Sequence, residues 1–212
     1  MSNAVKAVQA LVNNYAINND LSNQLAALFD GPENFGDKLS AFDGIFNTHP
    51  NHLPIKEFAF DLMMAYHLEM NQDDEDYFDS PEWQEIEDQT LERGTELLNI
   101  LLYITEANDT DTSMALEDFL YDFLLVDEDE FQDEHRIYEE LIANQELVEE
   151  NINSILEVCK RIPDETEIKE LFVPIILFFK DHQDNTPNRE ISSRLNPMDL
   201  SIWAALLAYN QG

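Results

Sequence analysis

Apolar residues recur along this chain at the i, i+3, i+4, i+7 spacing of a helix face and almost nowhere alternate as in a strand. A first helix is expected from about Asn3 to Ile17, with Val5, Val8, Val12 and Tyr15 on one face. A second follows an Asp20 cap through Leu21, Leu25, Leu28 and Phe29 to Gly31. Residues 31–54, punctuated by Pro32, Gly36, Gly44, Pro50 and Pro54, read as a loop holding a short helix around Leu39–Phe46. The helix from about Ile55 to Met70 is apolar on two sides, through Phe58, Leu62 and Tyr66 and through Phe60, Met64 and Leu68. That makes it central, or, if one side stays exposed, a dimer contact.

Ser80 and Pro81 have the character of an N-cap and first helical position, and the spacing then predicts one long helix from Pro81 to Ala107. A shorter helix, about Ser113 to Val126, carries Leu116, Phe119, Leu120, Phe123 and Leu124. Another long stripe runs through Tyr138, Leu141, Val148, Ile152, Ile155 and Cys159, with a break near Asn144, and stops before Pro163. Asp164 with Glu167 resembles a capping box for the next helix, which holds the apolar run 171–179 and is kinked by Pro174. A loop at 184–188 and a turn near Ile191 precede a last helix opened by Asn196 and Pro197 and offering Leu200, Trp203, Leu206 and Leu207 to the core. The expectation is one all-α domain over 1–212, a compact bundle or short array of about seven to nine helices. An apolar helix, then DEDYF or DEDEF, then an amphipathic helix occurs near 58–104 and again near 115–162, the pattern a duplicated helix–acidic loop–helix unit would leave.

A chain of 212 residues buries roughly 70% of its unfolded surface. With 44% apolar residues a core is available, although the net charge is -34. The only cysteine, Cys159, lies on an apolar face and reads as a buried reduced thiol. No secretory leader is evident, and the longest apolar run is far too short for a membrane span, so a cytoplasmic location is expected.

Charge is concentrated in the middle. Residues 69–170 carry 34 acids and 5 bases, whereas 1–68 carry 7 and 3 and 171–212 carry 4 and 3. From 72 to 134 there are 23 acids and the single base Arg93. Such a potential repels nucleic acid and anionic membranes and attracts basic proteins. Five acids fall in residues 72–79 (Asp73, Asp74, Glu75, Asp76, Asp79), and Asp127, Glu128, Asp129 and Glu130 form a second run. On a single long helix from Pro81, Glu82, Glu85, Asp88, Glu92, Glu96 and Glu106 would share an arc of about 120°. Glu139, Glu146, Glu150 and Glu157 would line the other long helix. A solvated face ordinarily mixes signs, because like charges one turn apart cost about 0.2–0.5 kcal/mol each. The uncompensated faces therefore point to a basic protein partner, with imitation of a nucleic-acid backbone as the narrower version.

Other chemistry is thinly represented. Counted from Asp74 as an EF-hand loop, Asp76 and Glu85 fall at the third and twelfth places, but Phe78 and Asp79 occupy the fifth and the glycine sixth. The copy from Asp127 places Tyr138 at the twelfth. His49 and His52 have a spacing that can share a transition metal, without an evident third ligand. His67 and His135 lie among helical apolar positions, where structural histidines are common. Five glycines build neither a Walker loop nor a dinucleotide fingerprint, and GxSxG and HExxH are absent. No cofactor is expected. The reading is a non-enzymatic acidic interaction module; the alternative is a metal-dependent or hydrolytic enzyme with His49 and His52 as ligands.

Overall fold

The computed structural model describes residues 1–72, 74, 76–124, 136–183 and 186–211. The second acidic run, 125–132, therefore lies outside the described residues, as do Asp73 and Glu75.

Among the described residues the chain forms twelve α-helices and no strand, more helices than the sequence spacing suggests. They are α1 (Asn3–Tyr15), α2 (Asn19–Phe29), α3 (Phe35–Thr48), α4 (Lys56–Asn71), α5 (Pro81–Thr90), α6 (Leu97–Asp109), α7 (Leu116–Asp118), α8 (Glu139–Ala143), α9 (Ile152–Cys159), α10 (Lys169–Asp181), α11 (Arg189–Ser192) and α12 (Pro197–Tyr209). Short 3-10 helices, Pro50–Ile55 and Gln145–Glu149, and a π-helical turn, Phe119–Phe123, connect them. None is long and apolar enough to cross a membrane.

Where a short polar side chain accepts the free N–H groups of a first turn, a helix starts. Ser80 accepts from Trp83 N and Asn196 from Asp199 N, each followed by proline at the first helical position, as the sequence indicates. The cap of α2 is Asn18, two residues before the expected Asp20, and it accepts from Leu21 N. The helix around Leu39–Phe46 extends to Phe35–Thr48 because Asn34 caps it. Asp164 and Glu167 cap nothing. Asp164 instead accepts from Lys169 Nζ at 2.6 Å, Ile162 O accepts from the same amine, and α10 opens at Lys169 without a side-chain cap.

α1 and α12, from opposite ends of the chain, pack together, and α10 joins α12. Residues 171–179 of α10 and 201–207 of α12 are buried on every side. α4, flanked by α1 and α6, buries every residue from 58 to 65, so its apolar flanks are covered inside this chain over that stretch, whereas Tyr66 and Leu68 stay half-buried. Buried apolar side chains from α1 through α12 make one connected core. Cys159 is half-buried at its margin; burial, and then the charge of Asp199, pushes its thiol above the ordinary range.

Both expected long helices are divided. The first ends at Thr90 and resumes at Leu97, and Gly94 between them adopts φ +87. Gly94 thus lies between helices rather than inside one, and its backbone makes a turn that L side chains rarely adopt. The second stripe is split into α8, a 3-10 turn and α9. Glu139, Glu146, Glu150 and Glu157 consequently do not share one helix.

Candidate functional site

The acidic connection between α4 and α5 is attached to the core through aromatic rings. Tyr77 N donates to Asp74 O and Ser80 N to Tyr77 O, and Asp74 Oδ1 accepts from Asp76 N. This tight backbone path turns Tyr77 inward, where its hydroxyl lies 2.6 Å from His67 Nε2 on α4. The Trp83 ring stacks 6.4 Å from His67 at 8°, and the Phe78 ring meets Trp83 edge-on at 5.2 Å. His67 is thereby half-buried. Burial, and then the charge of Lys38, lowers its pKa to about 4, so the imidazole is neutral at pH 7.

The carboxylates point away from this aromatic base. Asp74, Asp76, Asp79, Glu82, Glu85, Asp88 and Glu92 are all exposed, and α5 buries only Ile86. Among the described residues none of these seven acids makes an ion pair with a lysine, arginine or histidine. Glu87 adds a further exposed acid on α5. Glu96 leaves the row: half-buried at the start of α6, it accepts from Tyr138 Oη at 2.5 Å and from Asn99. Glu106 is exposed but sits on α6, beyond the break. The site thus brings together Asp74, residues 76–79 and the face of α5, and separates them from Glu96.

Arg93, the one base between 72 and 134, is turned toward α3 and α4. Its guanidinium reaches Asp43 at 3.2 Å and Glu57 at 3.4 Å and stands 4.5 Å from the Phe60 ring centroid. Lys56 also binds Asp43, at 2.8 Å. Beside this cluster Asp61 is fully buried and accepts from Thr95 N at 3.0 Å and Thr95 Oγ1 at 2.6 Å, while Glu57 accepts from Gly94 N. Burial drives the Asp61 carboxyl well above the usual carboxylate range, against the lowering effect of the Thr95 hydrogen bonds. This network, absent from the sequence reading, fixes where α5 stops. Its signal was available: Asp61 is the lone acid inside FAFDLMM, and Gly94 is the only glycine between 45 and 211.

His49 and His52 are each engaged by the backbone. Their ring centroids are 6.5 Å apart; His49 Nδ1 contacts Ile45 O at 2.9 Å, and buried His52 directs Nε2 to Ala16 O at 3.0 Å. Asp20 lies 3.4 Å from His49 Nε2. Among the described residues no group of three His, Cys, Asp or Glu side chains is disposed to hold a metal ion.

No protein-family model, curated protein or solved structure matches this chain. Its class is set by its own geometry: an all-helical protein with an uncompensated acidic surface on an aromatic base.

Proposed function

We propose that this protein is a non-enzymatic acidic interaction module that binds a basic protein through the 74–79 connection and the outer face of α5. The observation that carries the reading is the direction of Arg93. The one base between 72 and 134 is committed to Asp43, Glu57 and Phe60, and among the described residues the seven exposed acids make no ion pair with a Lys, Arg or His. Unpaired like charges on one face destabilise the free protein and attract a cationic partner from a distance. Asp127, Glu128, Asp129 and Glu130 belong to the same proposed surface by sequence, as do Asp73 and Glu75.

Nucleic-acid imitation is the narrower form of this proposal. On α5, Glu82, Glu85 and Asp88 recur every ~4.5 Å along the axis, close to the ~3.4 Å phosphate repeat of one DNA strand. The helix supplies such a row for only about three phosphates, which favours a patch on a basic protein over a long groove.

The test is retention of purified cationic proteins, a histone and a basic ribonuclease among them, on the immobilised chain over a salt gradient. Binding at about 50 mM salt that is lost by about 500 mM supports the reading, because the screening length shrinks to a few ångströms. No retention at low salt, or retention indifferent to salt, contradicts it.

A further inference from the structure

α4 and α6 pack side by side, and a groove of about 380 Å³ opens along them. Its lining is apolar at Ala65, Leu68 and Leu102; Ala65 is buried, and both leucines are half-buried. Phe78, 38% exposed, belongs to the wall and joins the groove to the α5 surface through its contact with Trp83. Gln72, Thr105 and three acids, Glu69, Glu106 and Asp109, complete the lining, and among the described residues no Lys, Arg or His accompanies them.

Asp109 presses on Glu69. Half-buried Glu69 has its carboxyl raised above the ordinary range by burial first and by repulsion from Asp109 second. Both acids also act on Tyr209, whose hydroxyl lies 3.0 Å from Thr105 of the same groove. A wholly apolar occupant would desolvate Glu69 further without compensation. A second copy of this chain would bring a net charge of -34 toward the same acids. A cation on an aliphatic stem satisfies both parts, since Lys and Arg lay their methylenes on apolar surface and keep the charge at the edge.

Building on the basic-partner reading, we propose that this groove receives a basic amphipathic segment of the partner. Its apolar side chain would rest on Leu68 and Leu102, and its Lys or Arg groups against Glu69, Glu106 and Asp109. The α5 surface then supplies attraction at long range, and the groove supplies the fitted anchor.

The test titrates two labelled peptides of equal charge against the full chain by fluorescence anisotropy, one a helix-forming Leu/Lys peptide and the other a Ser/Lys peptide. Leu102→Ser, and separately Glu69→Gln with Asp109→Asn, should each weaken the Leu/Lys peptide about tenfold and the Ser/Lys peptide less than about twofold. Glu82→Gln with Glu85→Gln and Asp88→Asn should weaken both peptides. Circular dichroism melts confirm that each variant is folded, and the two groove variants remove different chemistry. Groove variants that leave the Leu/Lys peptide unchanged, while the α5 variant weakens both peptides, overturn the groove proposal alone. If the unaltered protein binds neither peptide, both the groove and the basic-partner reading fail. If Leu102→Ser abolishes self-association and leaves peptide binding intact, the groove belongs to a second copy and the proposal is overturned.

Discussion

Asp61, buried within α4, accepts both the backbone N–H and the hydroxyl of Thr95, and this relationship divides the helix expected over 81–107 into α5 and α6. The carboxylate rewards the chain for leaving helical geometry at Gly94, where φ is +87 and an added Cβ would stand 2.4 Å from Asp61 Oδ1. Gly94→Ala should therefore destabilise the fold by about 1–3 kcal/mol through a left-handed backbone and a displaced carboxylate. Asp61→Ala, which strands two Thr95 donors, should cost about 2–4 kcal/mol, and Asp61→Asn less. Urea unfolding followed by circular dichroism checks the order; a neutral Gly94→Ala would refute this account of the break.

Tyr77 is the second attachment of the acidic surface. Tyr77→Phe removes the hydroxyl beside His67 but keeps the ring, so global stability should fall by about 0.5–1.5 kcal/mol. Amide hydrogen exchange should rise selectively at 76–83, the residues that Tyr77 and Trp83 hold against α4. Unchanged exchange there would mean that the ring contacts suffice.

Half-buried His67 and buried Asp199 predict opposite pH effects. His67 has a folded pKa lowered to about 4 by burial and Lys38, so its contribution is complete above about 6.5 and is lost as pH falls through about 4. Asp199, raised to about 6 chiefly by burial, contributes fully below its unfolded value of 3.8, and that contribution is lost as pH rises through about 6. Asp199→Asn should accordingly gain on the unaltered protein as pH rises from 4 to 7, and His67→Gln should gain on it as pH falls from 6.5 to 4. Denaturation midpoints across pH 4–8 decide both signs.

Repulsion among the exposed acids predicts that moderate salt stabilises the fold. The melting temperature should rise between about 20 and 300 mM NaCl, and rise less in a variant with Glu82, Glu85 and Asp88 neutralised, because fewer like charges remain to be screened. A melting temperature flat in salt would contradict a concentrated acidic face.

The helical class, the caps at Ser80 and Asn196 and the burial of α4 were legible because each depends on local spacing. The lengths of the helices were not. Apolar periodicity continues across Gly94 as though the helix did, because the residues on both sides face one core; the break is imposed by Asp61, more than thirty positions away. The acidity of α5 was legible, but Glu96 was misplaced for the same reason, its partner Tyr138 being a tertiary neighbour. The inward turn of Arg93 toward Asp43 and Glu57 likewise has no local signal.

The most direct measurement compares the affinity of one cationic protein for three forms of the chain. One is unaltered, one has Glu82, Glu85 and Asp88 neutralised, and one has the exposed Glu146, Glu149 and Glu157 neutralised instead. Both variants lose the same charge, so a general attraction to acidic protein would weaken equally. The α5 variant should lose about tenfold or more in affinity, with a shallower salt dependence, and the other less than about twofold. Equal losses in the two variants would contradict binding through the α5 surface.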